Sequence, residues 1–253
     1  MKKKKTNQAG RVIFWIVFLL ALAVAVFSGW NLYKIYSNYH RSNTLYTKLN
    51  QDYTRPKKSG PRWYDNIQVD VAALQKKNPD CRAWLYFENE EISYPVMYSG
   101  DDSKYLHTSF DGTYSYAGTL FLEGKNHPDF QDSHTIIYGH NMRNLSMFGR
   151  LRYYRQKSGY YRNHQYFQII TAKKKYRYRI FAYGDVAEDS SVYQVPFGPD
   201  GKFAAFIRRL TAQSDRDTGI TVRKTDKVIT LSTCSAEQRR TVVHGVRVSE
   251  HDS

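Results

Sequence analysis

The chain has 253 residues, with 38 Lys and Arg against 23 Asp and Glu, a formal net charge of +15, and 15% aromatic residues that include 22 tyrosines. The first thirty or so residues differ in composition; the remainder is about one domain's worth of chain, long enough for a proper core and too aromatic for a disordered polymer. The charge favours an anionic neighbour, whether nucleic acid, a membrane face or an acidic wall polymer, and does not choose among them.

In chain order, Lys2 to Lys5 and Arg11 precede an apolar run from Val12 to Phe27, and continued to Trp30 this segment is 19 residues without a charge. As a helix it spans roughly 28 Å, enough for the hydrocarbon core of a bilayer. Residues 1–11 read as a cytoplasmic basic tail and 12–30 as a single transmembrane anchor, with the rest of the chain outside the cell. A cleaved signal peptide is the rival, because Ala23 to Ala25 is loosely A-x-A-like; the apolar run is longer than a signal core and favours the uncleaved anchor. Residues 31–62 read as a stalk, helical at first (Leu32, Tyr33, Ile35 and Tyr36 recur at helical spacing) and broken between Arg55 and Pro61. The globular domain is expected over 63–253, beginning near Trp63.

Within it, Asp65 to Lys77 reads as an amphipathic helix ended by Asn78-Pro79. Ala83 to Phe87 and Ile92 to Tyr98 read as strands, with Pro95 placing the second towards an edge. Gly118 to Leu122 and Thr135 to Tyr138 are further strands, and Leu145 to Tyr154 a short helix. Tyr166 to Thr171 and Tyr176 to Val186 form a hairpin pattern, and Gly201 to Gln213 has helical period. Val228 to Cys234 and Thr241 to Val248 are the last two strands. About eight strands without regular βαβ alternation predict a mainly β, mainly antiparallel barrel or sandwich with peripheral helices.

Candidate chemistry sits at two strand ends. The run Val228 to Cys234 delivers a thiol to the loop that holds Arg239 and Arg240, a nucleophile and a cation near one sheet edge. His140 comes directly after the strand Thr135 to Tyr138 and its Gly139, exposed enough to exchange protons and rigid enough to aim. His244, in the strand after Cys234, is its rival. The other cysteine, Cys81, reads as a buried small hydrophobe. A single Cys81–Cys234 bridge is open to an exported protein and would disable any thiol chemistry. No C-x-x-C pair and no His/Cys set with zinc spacing occurs, so neither metal nor cofactor is expected.

Tyr138-Gly-His-Asn-Met142 followed by Ser146 to Gly149, together with Thr230 to Cys234 followed by Arg240 to Val243, resemble a sortase, and within that family class B. Asn78-Pro79-Asp80, Trp84-Leu85, Tyr94 to Val96, Phe110 to Gly112 and Gly118 to Phe121 occur in the family's order, and so does a helix around 201–213 inserted between the last pair of long strands, a class B habit. The resemblance covers residues 63–248 and implies a sortase-type barrel of about eight strands. It further implies that Cys234 is the nucleophile, His140 the general acid/base and Arg240 the group that steadies the oxyanion or orients the substrate carbonyl.

The implied enzyme is a cysteine transpeptidase, a thiol protease-type acyltransferase. It would cleave an Asn-Pro-x-Thr-x sorting signal after Thr and pass the thioacyl group to an amine of peptidoglycan, or to a pilin in a pilus-building variant. Expected partners are a sorting-signal-bearing surface protein or pilin, the amine acceptor and the membrane, without nucleic acid, in a Gram-positive bacterium. Arg240 is chosen over Arg239 because it directly precedes Thr241-Val242-Val243 and a one-residue shift turns a strand side chain to the other face. Ser232 and Thr233 are candidate groove residues or plain strand packing. Residues 150–179 hold no acid and many Arg, Lys and Tyr, which reads either as a surface for anionic wall polymer or as a solvated hairpin face; charge reversal at Lys173, Lys174 and Lys175 tests the first. A non-catalytic wall-binding module and a wall-remodelling L,D-transpeptidase are the remaining alternatives; the latter's Ser-x-Gly-Cys context is absent.

Overall fold

The computed structural model describes residues 8–57, 62–236 and 238–253, without the side chains of 8, 9 and 234–236. The chain divides into two compact units, 1–41 and 42–253. In the first, helix α1 (Gln8–Tyr53) carries the apolar run, whose large side chains from Val12 to Phe27 are exposed; the helix is long and apolar enough to cross a membrane. α1 continues through the segment read as a stalk, helical as far as Tyr53. Its last turns belong to the second unit, where Ser42, Tyr46 and Leu49 are buried at helical spacing.

The second unit is an eight-stranded closed barrel. A short pair, β1 (Thr54–Pro56) and β2 (Ile67–Val69), lies beside it. Helix α2 (Val71–Lys77) comes next, shorter than the 65–77 helix the periodicity suggests, because Asp70 caps it by accepting from Ala73 N at 2.8 Å and the residues before it pair as β2. The barrel strands begin with β3 (Cys81–Phe87), β4 (Ser93–Met97), β5 (Leu120–Leu122) and β6 (His134–Tyr138). The expected 145–154 helix is helical in its second half, a 3₁₀ turn (Gly149–Arg152) that runs into α3 (Tyr153–Gln156), with α4 (Tyr160–Asn163) after it; its first half is a loop closed by an Asn141–Met147 bridge. Then come β7 (Tyr166–Ile170), β8 (Lys174–Ala187), α5 (Gly201–Ala212), β9 (Val228–Ala236) and β10 (Arg239–Asp252).

Around the barrel the order is β10-β8-β7-β3-β4-β5-β6-β9. Six neighbour pairs are antiparallel; β4–β5 and β6–β9 are parallel, so the barrel is mixed. Pro95 does not mark an edge. It faces Trp84 across β3, and pairing with β5 starts only at Val96, beyond the missing N–H. The barrel fills with alternating apolar residues such as Leu85, Phe167, Ile169 and Leu231, all fully buried. Outside it, α5 is capped by Asp200 and buries Phe203, Phe206, Ile207 and Leu210 against Phe181, Val228 and Val242, each side chain contributing roughly 1.5–3 kcal/mol.

The basic stretch 150–179 is mostly consumed inside the fold. Arg177 holds Glu88 through two bonds of 2.8 and 2.7 Å, Arg155 reaches Asp215 at 2.6 Å, and Arg150 pairs with Glu90 and Glu91. Lys174 pairs with Glu250, and Lys175 is buried, donating to the carbonyls of Tyr64 and Ile67 at 2.7 and 2.8 Å. The acids come from distant parts of the chain, which is why the local run looked uncompensated. This favours the structural reading of the stretch over a polymer-binding surface.

Candidate active site

The parallel pairing of β6 with β9 aligns Tyr138 with Ser232, so both strands run out at the same rim, and their next residues lead to His140 and Cys234. The antiparallel hairpin β9–β10 then places Arg240 directly across from Cys234. A register shift between Arg239 and Arg240 sets Arg239 opposite Ala236 instead. A cavity of about 200 Å³ opens at this rim. Its walls are Tyr138, Gly139 and His140 from the end of β6, Ser232 and Thr233 from β9, and Arg240 from β10. Asp102 and Leu106 close it from the loop before β5.

Gly139 is required by packing. A Cβ there would sit 2.4 Å from Leu120 Cδ2 and 2.7 Å from Phe148 Cδ2. The absence of a side chain lets β6 pass close under these two and deliver His140 to the rim.

His140 Nε2 lies 2.7 Å from the Leu106 carbonyl. A carbonyl only accepts, so Nε2 carries the proton and Nδ1 the lone pair. Burial pushes the His140 pKa below its ordinary value; the bond to Leu106 opposes this, and the neighbouring His107 adds to it. Burial thus favours the neutral imidazole, the form that accepts a proton.

Arg240 is held by Glu188, Nη2 to Oε2 at 2.8 Å, with its side chain about a quarter exposed. Arg239 instead binds Asp185 at 2.8 Å, and half of its side chain is in solvent. Ser232 is buried with its hydroxyl 2.9 Å from Tyr193 Oη, so strand packing and cavity lining are both true of it. Thr233 Oγ1 is buried and has no hydrogen-bond partner among the described residues.

His244 is a core residue. It is buried in β10, its Nδ1 2.9 Å from Thr230 Oγ1, which in turn is 2.7 Å from His134 Nε2. Cys81 is buried with a free thiol whose pKa burial pushes up to about 12, so no bridge to Cys234 forms and Cys81 is inert. Among the described residues, no group of His, Cys, Asp and Glu is placed to hold a metal ion.

Sequence reasoning missed Leu106, Asp102, Glu188 and Tyr193. Leu106 acts through its carbonyl, which every residue type offers. Glu188 stands 52 positions from its arginine, and only the β8–β10 pairing brings them together.

A rim cavity lined by a histidine and an arginine, with a cysteine facing that arginine across a hairpin, on a mixed eight-stranded barrel, defines a cysteine transpeptidase of the sortase type. A family model for the sortase domain matches residues 87–248, and the chain belongs to the sortase family. Within it the chain is of class B: it is 31% identical over 237 residues to sortase B of Listeria monocytogenes, covering 92% of this chain and 95% of that protein. The structure of Clostridium perfringens sortase B is similar with a TM-score of 0.66 at 26% identity, covering 70% of this chain and 99% of that one. A Staphylococcus aureus sortase B–substrate complex shares the fold with a TM-score of 0.70 at 22% identity, covering 83% of this chain and 97% of that one.

Proposed function

We propose that this transpeptidase cleaves an Asn-Pro-x-Thr-x sorting signal after Thr and transfers the acyl group to an amine of peptidoglycan, anchoring a surface protein. The observation that carries the reading is the register that sets Arg240 opposite Cys234 while the neighbouring parallel strand ends at His140, all around one cavity. In this reading the Cys234 thiol gives its proton to neutral His140 as sulfur attacks the threonine carbonyl. The Arg240 guanidinium stabilises the oxygen as it becomes an anion. The imidazolium then protonates the departing amine, because an amide anion does not leave. A thioacyl-enzyme remains, and an incoming amine takes the acyl group by the reverse sequence. Ser232 and Thr233 line the same cavity and are the groove residues in this reading.

The helix over 12–30 is the membrane anchor in this reading, with the barrel outside the cell. The basic residues that would hold its N-terminus inside, Lys2 to Lys5, lie outside the described residues. Residues 31–41 join anchor and catalytic unit. Transfer to a pilin amine uses the same chemistry and differs only in the acceptor.

Mass spectrometry of the protein with an Asn-Pro-x-Thr-x peptide library, with and without oligoglycine, tests the reading. An adduct on Cys234, lost in Cys234→Ala and released as a Thr–amine product, is the expected result. A folded protein with a free Cys234 thiol that forms no adduct with a broad peptide library would return the chain to a binding role.

A further inference from the structure

We propose that the loop Leu106–Tyr116 is the subsite for the acyl acceptor and recognises it through its primary ammonium group, an inference that rests on the transpeptidase reading. Within the described part of the catalytic unit the exposed large hydrophobic side chains are Leu106, Tyr114, Tyr116 and Val248, and three of the four lie on this one loop. Tyr114 is 60% exposed and Tyr116 39%. A concentration of exposed aromatic surface in one place marks an interaction site.

This surface is continuous with the catalytic histidine. The His107 ring stacks 5.5 Å from the His140 ring, Tyr114 lies 6.1 Å beyond His107, and Tyr116 meets Tyr114 edge-on at 5.5 Å. The row leads from the proton-transfer centre out to solvent. It is also prearranged. Thr108 bridges Tyr114, Ser115 N donates to the His107 carbonyl at 2.9 Å, and Ser115 Oγ is 2.8 Å from Ser42 Oγ on α1. A binding surface held this way loses little entropy on contact.

The chemistry selects the occupant. The group that protonates the leaving amine must, by microscopic reversibility, deprotonate the incoming one, so both amines pass His140. Ring faces attract an ammonium, and the Asp102 carboxylate on the cavity wall adds the same sign of attraction in a chain that is otherwise strongly cationic. The ammonium gives one proton to His140 Nδ1. Its freed lone pair attacks the thioester carbonyl, and as the tetrahedral intermediate collapses the C–S bond breaks and the departing sulfur takes the second proton from nitrogen, leaving the Cys234 thiol beside the imidazolium. An amide forms with no outside reagent.

The test is the partition between aminolysis and hydrolysis, measured on the full-length protein in detergent with a sorting peptide and increasing triglycine. This ratio does not depend on how fast the thioacyl-enzyme forms. In Tyr114→Leu/Tyr116→Leu, where bulk remains and the aromatic face is lost, the triglycine concentration for half-maximal aminolysis should rise at least tenfold. In Tyr114→Phe/Tyr116→Phe, which keeps both faces, it should stay within about twofold of the parent protein. Both positions are exposed, and substitutions there leave folding intact. An unchanged triglycine dependence in the Leu double variant overturns the subsite while leaving the transpeptidase in place. A parent protein that never forms the Cys234 adduct overturns both, since no thioester then exists for an amine to attack.

Discussion

Tyr46, near the end of α1, donates its hydroxyl hydrogen bond to the carbonyl of Gly118 and lies 2.9 Å from Thr119 Oγ1. Gly118, at φ +55°, packs so closely on the Leu106 carbonyl that a Cβ would sit 2.5 Å from that oxygen. Leu106 O is the acceptor that holds His140. A buried side chain of the N-terminal helix thus supports the carbonyl that orients the imidazole.

Replacing Tyr46 with Phe strips a partner from a buried carbonyl and should cost about 1–3 kcal/mol of stability. If the contact also aims His140, the turnover number for thioacyl formation falls several-fold, KM for the peptide holds, and the pH–rate profile moves. Loss of stability with an unmoved pH profile would mean that Tyr46 is scaffold alone.

Arg240→Ala should lower kcat/KM for peptide cleavage by about 10²–10³, the usual cost of removing a preorganised oxyanion partner. Arg240→Lys should recover only part of it, because an ammonium cannot hold Glu188 and a carbonyl in one plane. Arg239→Ala should leave cleavage within about twofold, since its guanidinium is occupied with Asp185. Equal losses at the two arginines, measured side by side, would contradict the register assignment.

The buried row His134, Thr230 and His244 predicts acid sensitivity. His134 donates from Nδ1 to the Gln194 carbonyl, accepts from Thr230, and Thr230 accepts from His244, so every bond is satisfied with both rings neutral. Burial pushes His134 down from 6.5 to about 4 and His244 to about 3. Below pH 6.5 the unfolded chain binds protons that the folded one refuses, so stability is complete above that pH and declines as pH falls towards the folded values. Between pH 7.5 and 5 the loss should be roughly 2 kcal/mol for each histidine. Urea unfolding across that range checks it; a flat response would mean the pair is protonated or solvated in the native state.

Charge reversal separates the lysines of the β7–β8 turn. Lys175→Glu sets a carboxylate against the buried carbonyls of Tyr64 and Ile67 and should cost about 3 kcal/mol or more. Lys173→Glu, on the exposed turn, should stay within about 0.5 kcal/mol. Thermal melts of the two variants distinguish a structural lysine from a surface one.

Much of the catalytic arrangement was legible in local sequence. Val228 to Leu231 and Thr135 to Tyr138 are β-branched, largely apolar runs that read as buried strands, and a Cys and a His just past their ends stand out for that reason. The apolar run from Val12 to Trp30 likewise announces itself by length alone. These are one-dimensional signals, set by side-chain period and by the residue type at a strand's end.

Other features depended on closure of the barrel. The parallel pairing of β6 with β9 and the bulge that separates Arg240 from Arg239 are backbone alignments, and no side chain spells them out. The reach of α1 into the catalytic unit was hidden because Ser42, Tyr46 and Leu49 are spaced like any amphipathic helix in a polar stretch. The basic run 150–179 looked uncompensated because its acids, Glu88, Asp215 and Glu250, arrive from other strands and loops. Short-range patterns are written in the sequence because they arise from neighbours along the chain. Register, ion-pair partners and the carbonyl that orients His140 join residues far apart in sequence, and only the folded barrel brings them within bonding distance.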